Sequence, residues 1–251
     1  AGMYTWSDIV SPEEVQGDEA VTSISADRLP VAKVGEKVDL TASGEDKDGN
    51  YADNIPIQAT VDSVQITDDL QLLNGQIPEE WEDAVGEDGK LKENTISYIR
   101  EGDGVNTLDE VVKTKTEQQK LVYTTVTYTN TSDQEADHIL YLGSLIMCHN
   151  DGSTYKVYTP GEEAGDGYDR CAWDGAARTG EMKYCSVTEN YGNGGNYIPS
   201  LKPGESIQIS MAWIVNESDL KEMYLNLNGT GASYQFDDEI LANGIIDIRQ
   251  N

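Results

Sequence analysis

Between residues 207 and 215 every second side chain is apolar: Ile207, Ile209, Met211, Trp213 and Val215. Successive side chains of an extended chain point to opposite faces, so this spacing makes a strand with one wholly apolar face and cannot make an amphipathic helix. The intervening Gln208, Ser210, Ala212 and Ile214 form the other face. The same period runs through 37–42 and 57–66. Residues 120–130 are crowded with β-branched and aromatic types, with Val122, Val126 and Tyr128 on one face and Thr125, Thr127 and Thr129 on the other. Such residues suit a pleated, half-buried surface. The apolar stretch 138–147, the Asp151-Gly152 turn and the return over 153–159 read as a hairpin. Two short strands are expected over 220–228 and 245–249.

Helical signal is confined to two short turns. Residues 78–85 place Pro78 and several acids in a first turn. Thr107, with Glu110 three positions on, reads as a capping box for a turn over 107–112. Strands joined by turn residues without long helices predict an all-β chain, an antiparallel immunoglobulin-like β-sandwich.

Charge removes several function classes. The 251 residues carry a formal charge of −29 and a pI near 4.1. Nucleic acid and anionic membrane surfaces both need a basic face, so neither is expected as a direct partner. The longest apolar run, 139–148, is interrupted by Tyr141, Gly143 and Ser144. It falls short of the roughly 18–20 residues that cross a bilayer.

Catalytic constellations are missing. The histidines, His138 and His149, have no nucleophile elbow near them, because the stretch from Leu142 to Ile146 lacks its second glycine. Neither a HExxH nor a CxxC pattern occurs, and the pairs Gly102/Gly104 and Gly192/Gly194 do not join a strand to a helix as phosphate loops do. With 46 acids, carboxylate pairs can be drawn anywhere and identify no glycosidase. The chain is therefore read as no enzyme, with no cofactor. Asp46, Asp48 and Asp53 gather hard oxygens around a turn, a weak calcium candidate. Their spacing does not fit an EF-hand, and Asp48-Gly49 reads more simply as a hairpin turn. Of three cysteines, Cys148 resembles a small buried hydrophobe, while Cys171 and Cys185 are either free or a disulfide closing the glycine-rich stretch between them.

The order of these features resembles a known family. Val34-Gly35-Glu36 precedes the strand 57–66. The segment 122–133 follows, then the Asp151-Gly152 hairpin. Leu201-Lys202-Pro203-Gly204-Glu205-Ser206 leads into 207–215, and residues 219–227 close the pattern. This is similar to the telokin-like, immunoglobulin-fold extracellular domains of Gram-positive surface lipoproteins, a family of unassigned function. The resemblance implies an extracellular, cell-surface-anchored or secreted domain and supplies no catalytic residues. It covers about 34–227, with insertions at about 67–119 and 160–200.

Residues 1–30, acidic and without period, read as a linker to a lipid anchor outside this chain. Residues 31–251 read as one decorated domain. The insertion 160–200 carries Tyr168, Trp173, Tyr191 and Tyr197 among Gly, Asn and Asp, a composition suited to adaptable binding loops. The same rings could instead pack the loop onto the sandwich. The expected function is a non-catalytic interaction or adhesion domain that binds a protein or glycan at the cell surface through its loops. A carbohydrate-binding module is the alternative and an acid-pair glycosidase a distant third.

Overall fold

The computed structural model describes residues 22–45, 48–137, 139, 141–180, 182–187, 196–228, 236 and 243–251. The strands are β1 (Ser23–Ser25), β2 (Val31–Lys33), β3 (Lys37–Glu45), β4 (Tyr51–Thr67), β5 (Glu93–Arg100), β6 (Glu110–Asn130) and β7 (Ser144–Asn150). They continue with β8 (Thr154–Tyr158), β9 (Arg170–Trp173), β10 (Tyr184–Cys185), β11 (Ser206–Asn216), β12 (Met223–Asn226) and β13 (Ile245–Asp247). One sheet has the order β1-β8-β7-β12-β13-β2. The other runs β10-β11-β6-β4-β3, with β5 paired to β6 and β9 to β5. Every ladder is antiparallel except β13 on β2. The fold is an all-β sandwich.

The alternation in β11 does what its period requires. Ile209, Met211, Trp213 and Val215 are all but inaccessible and meet Val122, Val126 and Tyr128 of β6 in one core with Leu145, Met147, Met223 and Leu225 of the facing sheet. Register aligns these faces, with Trp213 opposite Val122 and Ile209 opposite Val126. The other face of β11 is covered as well. Ala212 and Ile214 pack with Leu121 under Leu70, Leu73 and Trp81 of the first insertion. A third cluster, Ile24, Leu29, Ile146, Cys148, Tyr224, Phe236 and Ile245, lies on the outer side of the six-stranded sheet. Cys148 is thus the buried hydrophobe expected.

Several expectations need correction. Of the acidic segment 1–30, residues 1–21 lie outside the described residues, but β1 pairs with β8 and Ile24 and Leu29 are buried, so the folded unit begins before residue 31. The 78–85 turn forms as a 3-10 helix over Glu79–Ala84. No helix forms at 107–112: the Thr107 amide is taken by the Asp103 carboxylate and Val111 pairs with Ile99. The second insertion, among the described residues, carries strands β9 and β10 rather than a helix. The strand expected from 138 begins only at Ser144. Gly143 runs so close to β11 that a Cβ there would lie 2.5 Å from Met211 Sδ, and the Tyr141 amide donates to Asn196 instead of entering a ladder. The polar corner at Asn130 forms as its sequence suggests. Its Nδ2 donates to the carbonyls of Gln134 (2.7 Å) and Leu201 (2.9 Å), and its Oδ1 accepts from the Ser132 amide.

Candidate functional site

β6 is 21 residues long, and only its C-terminal half belongs to the sandwich. Residues 110–118 pair with β5, which pairs in turn with β9, placing Tyr98 opposite Cys171 and Ile96 opposite Trp173. The two insertions are therefore one structure, a three-stranded ribbon rooted on the sandwich. Buried amides fix its root. Asn94 Nδ2 donates to Asn216 Oδ1 (2.7 Å) while its own Oδ1 accepts from the Gly175 amide (2.9 Å). Gln119 Oε1 accepts from the amides of Ala176 (2.8 Å) and Ala177 (3.0 Å). Gly175 has no room for a side chain, since a Cβ would sit 2.6 Å from Gln119 Oε1.

The β5–β6 connection is ordered by carboxylates. Asp103 Oδ1 accepts from the amides of Val105 (2.9 Å), Asn106 (2.7 Å) and Thr107 (2.9 Å), and these bonds hold its carboxyl well below the usual carboxylate range. Asp109 accepts from the Gly102 amide (3.0 Å) and from Arg170 Nη2 (2.8 Å), while Arg170 Nε reaches Glu101 (3.0 Å). This scaffold leaves Val105 and Leu108 about nine-tenths exposed at the tip.

Between the second insertion and the β7–β8 region lies an open cleft of about 900 Å³. Leu145 and Met147 contribute to its wall, and Tyr158, Glu162, Glu163, Trp173, Arg178, Lys183 and Asp219 also line it. Gly161, at φ +89°, brings its backbone against the Trp173 ring, and the Arg178 guanidinium lies over that ring at 5.7 Å. Tyr158 stacks on His149 at 4.3 Å and donates its hydroxyl to Glu222. His149 is held between Glu222 (Nδ1, 3.0 Å) and Glu163 (Nε2, 3.6 Å). Burial raises the Glu222 carboxyl, but the hydrogen bonds from Tyr158 and His149 outweigh it and the net shift is downward. Asp219 goes the other way. Burial, then the charges of Glu117, Glu222 and Glu163, push it up to about 7 against one bond from the Asn216 backbone. A carboxyl raised this far is partly protonated near neutrality, and in that form it can donate a hydrogen bond as well as accept one. Burial raises all three thiols, Cys148 to about 12, so none is an activated nucleophile.

Among the described aromatic residues expected to bind, Trp173 alone lines the cleft. Tyr168 packs edge-on against Tyr98 (4.9 Å, 77°) on the ribbon, Tyr197 is half-buried in the approach to β11, and Tyr191 lies outside the described residues. In the first insertion, Trp81 is 3% exposed and packs that insertion onto the sandwich. Cys171 and Cys185 are free, so the candidate disulfide does not form. They belong to β9 and β10, which pair with different partners, and Cys185 Sγ contacts Asn196 Oδ1 at 3.3 Å. His138 and Asp46 lie outside the described residues. Asp53 accepts from Ser43 Oγ (3.0 Å), and among the described residues no group of three His, Cys, Asp or Glu side chains is placed to hold a metal ion.

Tyr158, Glu163, Arg178 and Asp219 were not singled out from the sequence. In a chain with 46 acids and 14 tyrosines, no local pattern distinguishes those that meet in a cleft. Comparison with protein-family models, with curated proteins and with solved structures gives no match.

Proposed function

We propose that this chain is a non-catalytic interaction domain of a cell-surface lipoprotein, acting outside the cytoplasm and related to the telokin-like, immunoglobulin-fold domains it resembles. The observation that carries the reading is the β5–β9 ladder, which joins both insertions into one rigid ribbon. Its tip presents Val105 and Leu108 to water on a loop already fixed by Asp103 and Asp109. Pre-ordered apolar side chains lose little conformational entropy on contact, which favours their use in binding. The acids around the tip are already paired, Glu101 and Asp109 with Arg170 and Glu110 with Arg100, so the reading rests on apolar contact and suits a protein partner with an apolar pocket. The test is binding of the purified chain to cell-surface protein fractions by interferometry, with Val105→Asp/Leu108→Asp beside the parent. The reading requires binding by the parent, its loss in the variant and an unchanged melt. A variant that binds like the parent removes the tip from the interface.

A second reading, carbohydrate binding in the cleft, is favoured by Trp173 and Tyr158 lining it together with Glu163 and with Asp219, whose raised carboxyl can donate as well as accept. Quenching of tryptophan fluorescence by a polysaccharide panel, lost in Trp173→Ala, would select it over the first.

A further inference from the structure

Residues 178–180 line the cleft and are pinned to both sheets. The Arg178 amide donates to the Ile214 carbonyl of β11 (2.9 Å), and the Thr179 carbonyl accepts from the Leu145 amide of β7 (2.9 Å). Trp213 Nε1 donates to the Gly180 carbonyl (3.0 Å). The Arg178 side chain is fixed as well. Its Nη1 donates to the carbonyls of Gly175 (3.2 Å) and Ala177 (2.6 Å), and its guanidinium lies over the Trp173 ring. Nε and Nη2, the two donors that form a parallel fork, have no protein partner among the described residues. Elsewhere in the chain that edge takes carboxylates. Arg170 uses Nε and Nη2 for Glu101 and Asp109, and Arg249 uses the same pair for Asp247 (3.0 and 2.8 Å). Arg100 pairs with Glu110 through Nη1, so in a chain with 46 acids against 17 lysines and arginines Arg178 stands apart. Carbonyl anchors orient its guanidinium without neutralising it, and a charged, pre-set fork lines the cleft.

We propose that the cleft binds a glycan carrying a hexuronate, whose carboxylate takes the Nε/Nη2 edge of Arg178. The inference rests on the reading of the cleft as a carbohydrate site and names the sugar class that such a site selects. A planar guanidinium and a carboxylate match bidentately, and an arginine already held in place loses little freedom on pairing. The rest of the lining argues for a ligand with isolated carboxylates rather than a dense polyanion. Lys183 is already paired with Glu80 (3.7 Å), while Glu162, Glu163 and Asp219 share the wall. These acids accept hydrogen bonds from sugar hydroxyls but repel further anions at contact distance. The net charge of −29 opposes a polyanion in the same sense. Beyond about 8 Å that field is screened at physiological salt, so a single carboxylate meets chiefly its own fork. At about 900 Å³ the cleft has room for more than one sugar ring.

The test uses the full chain and a panel of oligosaccharides in which glucuronate, galacturonate or mannuronate alternates with a neutral sugar. Each is set beside its counterpart with the carboxyl reduced to an alcohol. Affinity is read by calorimetry, and the contact by the Arg178 Nε–H resonance in arginine-labelled protein. At least one acidic member is expected to bind about ten- to hundredfold more tightly than its reduced counterpart, the worth of a charge-assisted pair, and to shift that resonance. Arg178→Gln is expected to bind the two alike. Equal binding of acidic and reduced sugars by the parent overturns the inference and leaves the cleft a site for neutral glycans. An unmoved Nε–H resonance overturns it too, as does a preference for the acidic sugar that persists in Arg178→Gln. No binding by any member overturns the inference and the carbohydrate reading together. The comparison of the two sugars on the parent needs no variant, so it decides the matter even where Arg178→Gln, having lost the Nη1 anchor, fails to fold.

Discussion

The side-chain amide of Asn94 donates to Asn216 Oδ1 across 2.7 Å, joining the start of β5 in the first insertion to the last residue of the apolar strand β11. Both residues are buried, and the same Asn94 side chain accepts from the Gly175 amide, so one amide group ties three distant segments together. The ribbon inherits its orientation from this knot.

Asn94→Ala is expected to destabilise the chain by roughly 1–3 kcal/mol, because it leaves the buried Asn216 side-chain oxygen without a partner and removes the acceptor of the half-buried Gly175 N–H. Urea unfolding measures it. The double variant with Asn216→Ala should lose less than the two single losses combined, since removing both partners strands fewer polar groups than removing one. Strict additivity would show that the two amides do not share a network.

The position of Gly161 leads to a second expectation. Its φ of +89° disfavours any other residue, and a Cβ there would lie 2.6 Å from the Trp173 ring. Gly161→Ala should therefore cost about 1–3 kcal/mol and displace the indole, altering Trp173 fluorescence. An emission spectrum identical to that of the parent would mean that the ring does not rest on this backbone.

Thiol chemistry supplies the third. With all three cysteines free, a reducing agent should leave the thermal midpoint unchanged. Cys148 is 4% exposed and its thiol is raised to about 12 by burial, so in the native protein it should resist iodoacetamide and react only on unfolding. Mass spectrometry after alkylation counts the modified sites. A midpoint that falls on reduction would mean that Cys171 and Cys185 are bonded in solution.

The legibility of the molecule in its sequence follows from where water is. β11 and the C-terminal half of β6 bury an alternating face, and Ile209, Met211, Trp213, Val122 and Val126 announce it. Residues 110–116 are exposed throughout, so no apolar period marks the half of β6 that carries the ribbon. Asn94 and Gln119 look like surface residues because burial of an amide depends on partners that the local sequence does not contain. The pairing of β5 with β9 rests on backbone groups that every residue has, across more than seventy intervening positions. Trp173 was legible as a binding candidate. The carboxylates around it were hidden by the abundance of acids.

Asp219 gives the remaining prediction. Its carboxyl is raised to about 7 in the folded chain, chiefly by burial, against an ordinary aspartate value of 3.8. The folded state then holds this proton more tightly than the unfolded state does, and stability falls as pH rises through that interval. The contribution is intact below about pH 4 and fully lost above about pH 7. Its ceiling is roughly 4 kcal/mol, at 1.36 kcal/mol for each tenfold change in proton affinity. Glu222 acts in the opposite sense, because its depressed carboxyl adds stability above 4.5 that is lost as pH falls through its folded value. Asp219→Asn keeps the shape and removes the charge, so it should be more stable than the parent at pH 8 and close to it at pH 4. Urea midpoints for the two proteins at pH 4, 5, 6, 7 and 8 would show the curves diverging with rising pH. Parallel curves would mean that Asp219 ionises freely, and would leave the cleft without its hydrogen-bond-donating acid.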